Sequence, residues 1–133
     1  MSYKTLAVAG IAAVAACAIP ANAHHSFAMF DALKIVQLEG TVKEFQWTNP
    51  HAWIVLNVKT DADSKEWAIE MNGPTGLARQ GWVPKTLTPG MPIKVHVHPL
   101  RDGKNGGQFL AVTFADGKVM GNPNGRPANA PND

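Results

Sequence analysis

The sequence predicts an all-β domain, and more narrowly a small five-stranded OB-like Greek-key barrel with one short helix between its third and fourth strands. Five runs of the chain alternate apolar and polar residues as β-strands do. A break containing Gly and Pro, followed by helix-forming residues, separates the third run from the fourth, which is where an OB-fold carries its helix. The alternative fold is a small β-sandwich, which the single helix and the strand count make less favoured.

The first predicted strand, at 35–48, is the longest and carries the signal for barrel closure. Val36, Leu38 and Val42 share one face with Gly40, whereas Phe45 and Trp47 have the opposite parity. Because side chains alternate along a strand, a change of parity requires a bulge or a bend. A glycine in mid-strand also favours a bend. We therefore expect this strand to bend and to pair with a neighbour on each side.

The remaining elements are shorter and are bounded by polar loops and turns. Apolar residues alternate with polar ones through each strand, and Gly, Pro, Asp and Asn cluster between them. Trp67 has the parity of the core in the third strand. The predicted elements are strands at 52–59 and 65–72, a helix at 75–80, and strands at 92–98 and 108–114.

The first 23 residues have the three parts of a secretory signal peptide. Lys4 is basic, an Ala- and Val-rich apolar run follows, and Ala21 and Ala23 complete a small-x-small cleavage site. The apolar run is too short to span a bilayer, which disfavours the alternative of a membrane anchor. A second alternative is lipoprotein processing at Cys17, the one cysteine of the chain. We expect a periplasmic or secreted protein that begins at His24 after cleavage.

The mature chain then divides into three segments. Residues 24–34 form a lead-in segment, 35–118 the barrel domain, and 119–133 a tail rich in Gly, Pro, Asn and Ala. Such a composition buries too little apolar surface to offset the entropy of ordering, so the tail is predicted to be disordered. Cleavage removes the cysteine, so the domain is stabilised by burial and hydrogen bonding alone.

Charge and motif content exclude several classes of function. A formal net charge of +2 argues against nucleic acid or anionic lipid as the main partner, and no membrane span is expected in the mature chain. No nucleophile motif or phosphate-binding loop is present, and Glu66 and Glu70 share the outward face of the third strand, an ordinary surface pattern. We therefore expect a binding module rather than an enzyme, with a small ligand or a periplasmic protein as its partner.

The five histidines all follow the cleavage site and favour a transition-metal site, with copper as the expected ion. Cleavage would give His24 a free α-amine, which with the ring Nδ1 can chelate one ion as the first half of a histidine brace. His25 offers a second route through its ring and the amide before it. Nitrogen donors of this kind suit Cu(II). The alternative is that both rings are simply solvated.

Three further histidines could complete such a site. His96 and His98 should share the outer face of the fourth strand, a spacing found in metal sites and on ordinary surfaces alike. His51 follows the first strand and either binds metal or stabilises its turn through a backbone carbonyl. We expect the loops after the first and fourth strands to lie at one rim, which would bring His51 near His98.

The residues around His51 predict a ligand-binding rim. Trp47, Asn49 and Trp53 flank it, and the two indole rings could line a pocket. Aromatic residues on OB-folds also stack nucleic-acid bases, but an exported, nearly neutral protein rarely meets them. This rim carries the alternative function, a metal-free barrel that binds a small ligand or a protein partner.

Several motifs resemble an uncharacterised family of small exported bacterial proteins, a domain of unknown function. They are HHSFAMFD from position 24, LEGTVKEFQWTNPHAWI ending at position 54, WAIE, and GLARQGW. The resemblance covers about residues 24–115 and implies export and the domain boundaries, but no activity. A copper oxidase or oxygenase built on the same histidine brace is a third class of function, and nothing in the sequence supplies its substrate cleft.

Overall fold

The computed structural model describes residues 27–125. The predicted signal peptide, His24 and His25, and residues 126–133 of the predicted tail lie outside the described residues. The elements, in chain order, are a 3-10 turn at Phe27–Met29, β1 at Val36–Gln46, β2 at Trp53–Lys59, β3 at Ser64–Glu70, α1 at Pro74–Arg79, β4 at Pro92–Pro99, β5 at Gly106–Phe114 and β6 at Val119–Gly121. Within the described part of the chain, no helix has the length and apolar character needed to cross a bilayer.

The first five strands close into a barrel. Their order in the sheet is β3-β2-β1-β4-β5, and β3 also pairs in parallel with β5, which joins the two ends. β1 pairs antiparallel with β2 along its second half and with β4 along its first half. The predicted five-stranded barrel, with its helix between the third and fourth strands, is therefore confirmed.

β1 bends in the way that its sequence predicts. The β1–β2 register shifts between Val42 and Glu44, so Lys43 is the extra residue of a bulge, which restores Phe45 to the core side. Gly40 passes so close to β2 that a Cβ at this position would collide with the carbonyl oxygen of Asn57. The absence of a side chain at Gly40 thus allows β1 to turn from one neighbour to the other.

The barrel interior is an apolar core. Ile54, Leu56 and Val95, which point inward from β2 and β4, are fully buried. Trp82, in the segment after α1, is 1% exposed and packs edge-on to Phe109 at a ring-centroid distance of 5.5 Å. Partly buried side chains, including the predicted core residue Trp67, surround this centre.

The lead-in segment is attached to the end of β4. Phe30 is 5% exposed and forms an isolated bridge with Leu100. The N–H of Asp31 donates to the carbonyl of Pro99 at 2.8 Å, and the N–H of Arg101 donates to the carbonyl of Met29 at 2.9 Å. The described part of the lead-in is therefore an integral layer of the domain, with backbone pairing like that of a short strand.

The start of the predicted disordered tail is ordered, which corrects the boundary at residue 119. Val119–Gly121 forms β6 and pairs with β5, and Met120 packs against the core. The N–H of Asn122 donates to the carbonyl of Leu110 at 2.8 Å. A short turn with Gly117 at φ 89° joins the two strands, so this hairpin closes at small entropic cost.

Candidate functional site

His51 lies in the segment between β1 and β2, and its ring is held by a backbone carbonyl. Its Nδ1 is 2.8 Å from the carbonyl oxygen of Met71. A carbonyl oxygen can only accept, so in the neutral ring Nδ1 carries the proton and Nε2 is the unprotonated nitrogen. The side chain is 34% exposed. The bond is the turn-stabilising one that the sequence allows, and it also leaves Nε2 as a donor atom for a metal ion.

The backbone around His51 is tied down on both sides. The Thr48 hydroxyl donates to the carbonyl of His51 at 2.7 Å. Ala52 exchanges two hydrogen bonds with the segment after β3: its N–H donates to Asn72, and its carbonyl accepts from Met71. The direction of the imidazole is therefore set by several short bonds rather than by one mobile loop.

The turn before His51 packs against the segment that leads into α1. The Asn49–Pro50 peptide is cis. Gly73 faces this turn so closely that an added Cβ would lie 2.6 Å from the carbonyl oxygen of Pro50. A glycine at position 73 is thus what lets the two segments meet and brings the carbonyl of Met71 within reach of the ring.

A buried carboxylate lies beside the imidazole. Glu70 is only 6% exposed, and its Oε1 is 3.7 Å from Nδ1 of His51. The sequence pattern treats Glu70 as a surface residue like Glu66, and this is wrong: Glu66 is exposed and pairs with Lys43, whereas Glu70 is enclosed. Strand parity places both carboxylates on the same face of β3, so it does not predict that one of them is buried and the other exposed.

The rings of His51 and His98 are held by different backbone carbonyls, those of Met71 and Lys34. Trp53, Glu70, Gln108 and His98 are successive register partners across β2, β3, β5 and β4. Three strand spacings, about 14 Å measured along the curved wall of the barrel, separate the ends of this row. The expected proximity of His51 and His98 stays a prediction.

His96 and His98 share the outer face of β4, as predicted, but their surroundings differ. His98 is 4% exposed, and its Nδ1 is 2.7 Å from the carbonyl oxygen of Lys34, so the lead-in encloses it. His96 is half-buried, and its Nδ1 has no hydrogen-bond partner within residues 27–125. Of the three histidines in this part of the chain, His51 therefore combines a fixed tautomer with access from solvent.

The three predicted ligand-binding residues divide between packing and surface. Trp47 is partly buried against the core and lies edge-on to Phe45, with ring centroids 5.7 Å apart. Asn49 is exposed, and Trp53 is half-buried at the start of β2, beside Glu70 in the register. Trp53 and Asn49 thus remain available near His51, whereas Trp47 contributes chiefly to the core.

No group of three or more His, Cys, Asp or Glu side chains is placed to hold a metal ion among the described residues. His51 offers one imidazole nitrogen there, with Glu70 behind its protonated side. Two or more additional donors are needed for a stable transition-metal site. His24 and His25 are the predicted donors that lie outside the described residues.

Fold and site together define a small OB-like barrel domain with an oriented histidine at the entrance to its second strand. The chain belongs to DUF6152, a family of unknown function whose model matches residues 11–109. The expected membership in an uncharacterised family is thereby confirmed. Neither the curated proteins nor the solved structures contain a match to this chain.

Proposed function

We propose that this protein is an exported binding module that holds a transition-metal ion, with copper favoured, through Nε2 of His51. The observation that supports the proposal is the hydrogen bond from Nδ1 to the carbonyl of Met71. Metal-bound histidines commonly donate their second ring nitrogen to a backbone carbonyl, which sets both the tautomer and the ring direction. The domain thus presents a preformed ligand to the ion.

The remaining donors in this proposal come from the mature N-terminus. Cleavage after Ala23 gives His24 an amine and an imidazole that can chelate together, and His25 adds a further ring. Two imidazoles and one amine form an all-nitrogen set, which suits tetragonal Cu(II). Phe30 is docked at the end of β4, so five residues separate a fixed anchor from the first residue and limit where His24 can reach.

Glu70 supplies negative charge next to the proposed ligand. Metal binding at Nε2 makes the opposite N–H of His51 a stronger donor, and a carboxylate 3.7 Å from Nδ1 stabilises the resulting positive charge. Burial strengthens that interaction, since a low dielectric screens it less than water does. Glu70 therefore acts on the metal through the ring rather than as a ligand.

The alternative function uses the same surface without metal. Asn49 is exposed and Trp53 half-buried beside His51, so a small ligand or a protein partner could contact this rim through an amide, an indole and Nε2. The two functions differ in one requirement, because the metal-free module has no need of a free N-terminal amine.

Copper titration of the exported, cleaved protein tests the proposal. We expect binding of one Cu(II), with the spectrum of a nitrogen-rich tetragonal site. His51→Gln, or one added residue before His24, should each weaken binding by tenfold or more. His96→Gln is the matched control, and it should leave affinity within about twofold.

Two results would contradict the proposal in separable ways. If His51→Gln binds Cu(II) as tightly as the parent, the barrel contributes no ligand. If the extended N-terminus binds as tightly as the native one, the histidine brace is wrong. Metal analysis of protein purified from the periplasm shows which ion, if any, is carried.

A further inference from the structure

A groove of about 390 Å³ lies between the lead-in segment and the loop that joins β4 to β5. The groove is separated from His51 along β3. Its β3 residue is Trp67, which pairs with Leu56, whereas Glu70, the residue beside His51, lies three positions later and pairs with Trp53. Its other walls are formed by two residues of the lead-in and five from the end of β4 and the loop after it, namely Asp31, Lys34, Pro99, Leu100, Arg101, Gly103 and Lys104. The groove is therefore a second concave feature with its own residues.

The charged lining of this groove is unbalanced. Lys34, Arg101 and Lys104 are cationic, and Asp31 is the one carboxylate among the lining residues. Asp31 lies 3.4 Å from the Lys34 ammonium and 4.0 Å from the nearer terminal nitrogen of Arg101. A single carboxylate shared by two cations leaves positive charge in the groove. Lys104 adds charge from the loop, which the Asp102 carboxylate at 3.8 Å partly offsets.

The Arg101 guanidinium is held in place at Nε, and the residue lines the groove. Its Nε donates to the carbonyl of Ala28 at 2.9 Å, and its backbone N–H donates to Met29. Within residues 27–125, neither terminal nitrogen makes a hydrogen bond, and the side chain is 56% exposed. A guanidinium fixed in this way presents its terminal N–H groups in the fork that matches a carboxylate.

The wall beside these cations is apolar and partly aromatic. Trp67, Pro99 and Leu100 are half-buried and line the groove. An indole face favours flat apolar groups, and a desolvated wall strengthens a neighbouring ion pair. Inorganic anions would gain nothing from such a wall.

We propose that the groove binds a small organic carboxylate with a flat apolar body. The carboxylate pairs with the terminal N–H groups of Arg101, supported by Lys34 and Lys104, and the apolar body lies along Trp67. This site is independent of the metal site at His51, because the two share no residue. The competing explanation is that the cations serve only to attach the lead-in through Asp31.

Titration with benzoate, followed by NMR of the Arg101 Nε–H and the Trp67 indole N–H, tests the proposal on the full mature chain. We expect saturable shifts of both signals, no saturation with benzamide, and at least tenfold weaker binding of inorganic phosphate. Lys104→Gln should weaken benzoate binding severalfold, because the groove loses one positive charge. Lys104 contacts Asp102 rather than the lead-in, so this variant leaves the attachment of the lead-in intact. Arg101→Gln should weaken it by about tenfold or more.

Lys85→Gln, at an exposed site outside the groove, is the matched control for the loss of one positive charge, and it should leave affinity unchanged. Three outcomes would overturn the proposal. They are an absence of saturable shifts with benzoate, equal weakening by Lys104→Gln and Lys85→Gln, and phosphate binding as tight as that of benzoate. The last outcome would show that anions bind in the groove through charge alone and that the apolar wall contributes nothing to affinity.

Discussion

Phe30 is the residue whose truncation best tests whether the lead-in segment belongs to the fold. It is 5% exposed, and it sits between the Asp31 and Met29 hydrogen bonds to the end of β4. Burying a Phe side chain stabilises by roughly 1.5–3 kcal/mol. Undocking would also forfeit hydrogen bonds worth about 0.5–1.5 kcal/mol each. We therefore expect Phe30→Ala to lower the free energy of unfolding by about 3 kcal/mol.

The matched control is in the same segment. Leu33 is 94% exposed, so Leu33→Ala should change the free energy of unfolding by less than about 0.5 kcal/mol. Urea unfolding followed by tryptophan fluorescence gives both values. Because 1 kcal/mol shifts Tm by roughly 4–8 °C in a domain of this size, Phe30→Ala should lower Tm by about 12 °C or more.

Hydrogen exchange locates the effect. In Phe30→Ala the amides of Asp31 and Arg101 should exchange faster, because they lose Pro99 and Met29 as partners. If Phe30→Ala stays within 1 kcal/mol of the parent, or if Leu33→Ala is equally destabilising, the lead-in is not an integral layer. Copper affinity should also fall in Phe30→Ala, since the anchor that limits the reach of His24 is lost.

Three further predictions concern the ends of the chain and the pH dependence. The intact mass of the exported protein should correspond to a chain that begins at His24, and a diacylglyceryl-modified Cys17 would contradict this. Deleting 126–133 should leave Tm within about two degrees, whereas deleting 119–133 should lower it clearly, because β6 and the contact of its methionine with the core are lost. Burial acts to raise the pKa of Asp31, but the Leu33 N–H, Lys34 and Arg101 outweigh it and lower the pKa below 3.8. Its contribution to stability is therefore present above that pH and is lost as the pH falls through the folded-state pKa, so Asp31→Asn should remove this part of the acid sensitivity in urea titrations at pH 2–5.

Strand identity and barrel closure could be read from the sequence because both depend on local patterns. Alternation defined five strands to within about two residues at each end. The parity change after Val42 required a bulge, and the structure has it at Lys43. The position of the helix between β3 and β4 followed from Gly and Pro at the break, which end one strand before the next begins.

The candidate site was only partly predictable. His51 was singled out by its neighbours along the chain, and the structure places it where it is oriented and accessible. Glu70 was not, since periodicity within β3 places it on the same face as Glu66, and only the structure shows that it is buried. The expected proximity of His51 and His98 stays a prediction, because it depends on how the loops after β1 and β4 are placed around the barrel rather than on a local pattern.

The sequence by itself determined the five strands and the helix of the barrel, the bend of β1 and the residue types available for a metal or an anion, because these are properties of consecutive residues. Only the tertiary structure decided which groups meet: the Met71 carbonyl with His51, the Lys34 carbonyl with His98, and Arg101 with the lead-in. Each of these contacts joins positions twenty or more residues apart. Their partners are selected by strand register and by the docking of segments on the barrel, and no local pattern encodes either.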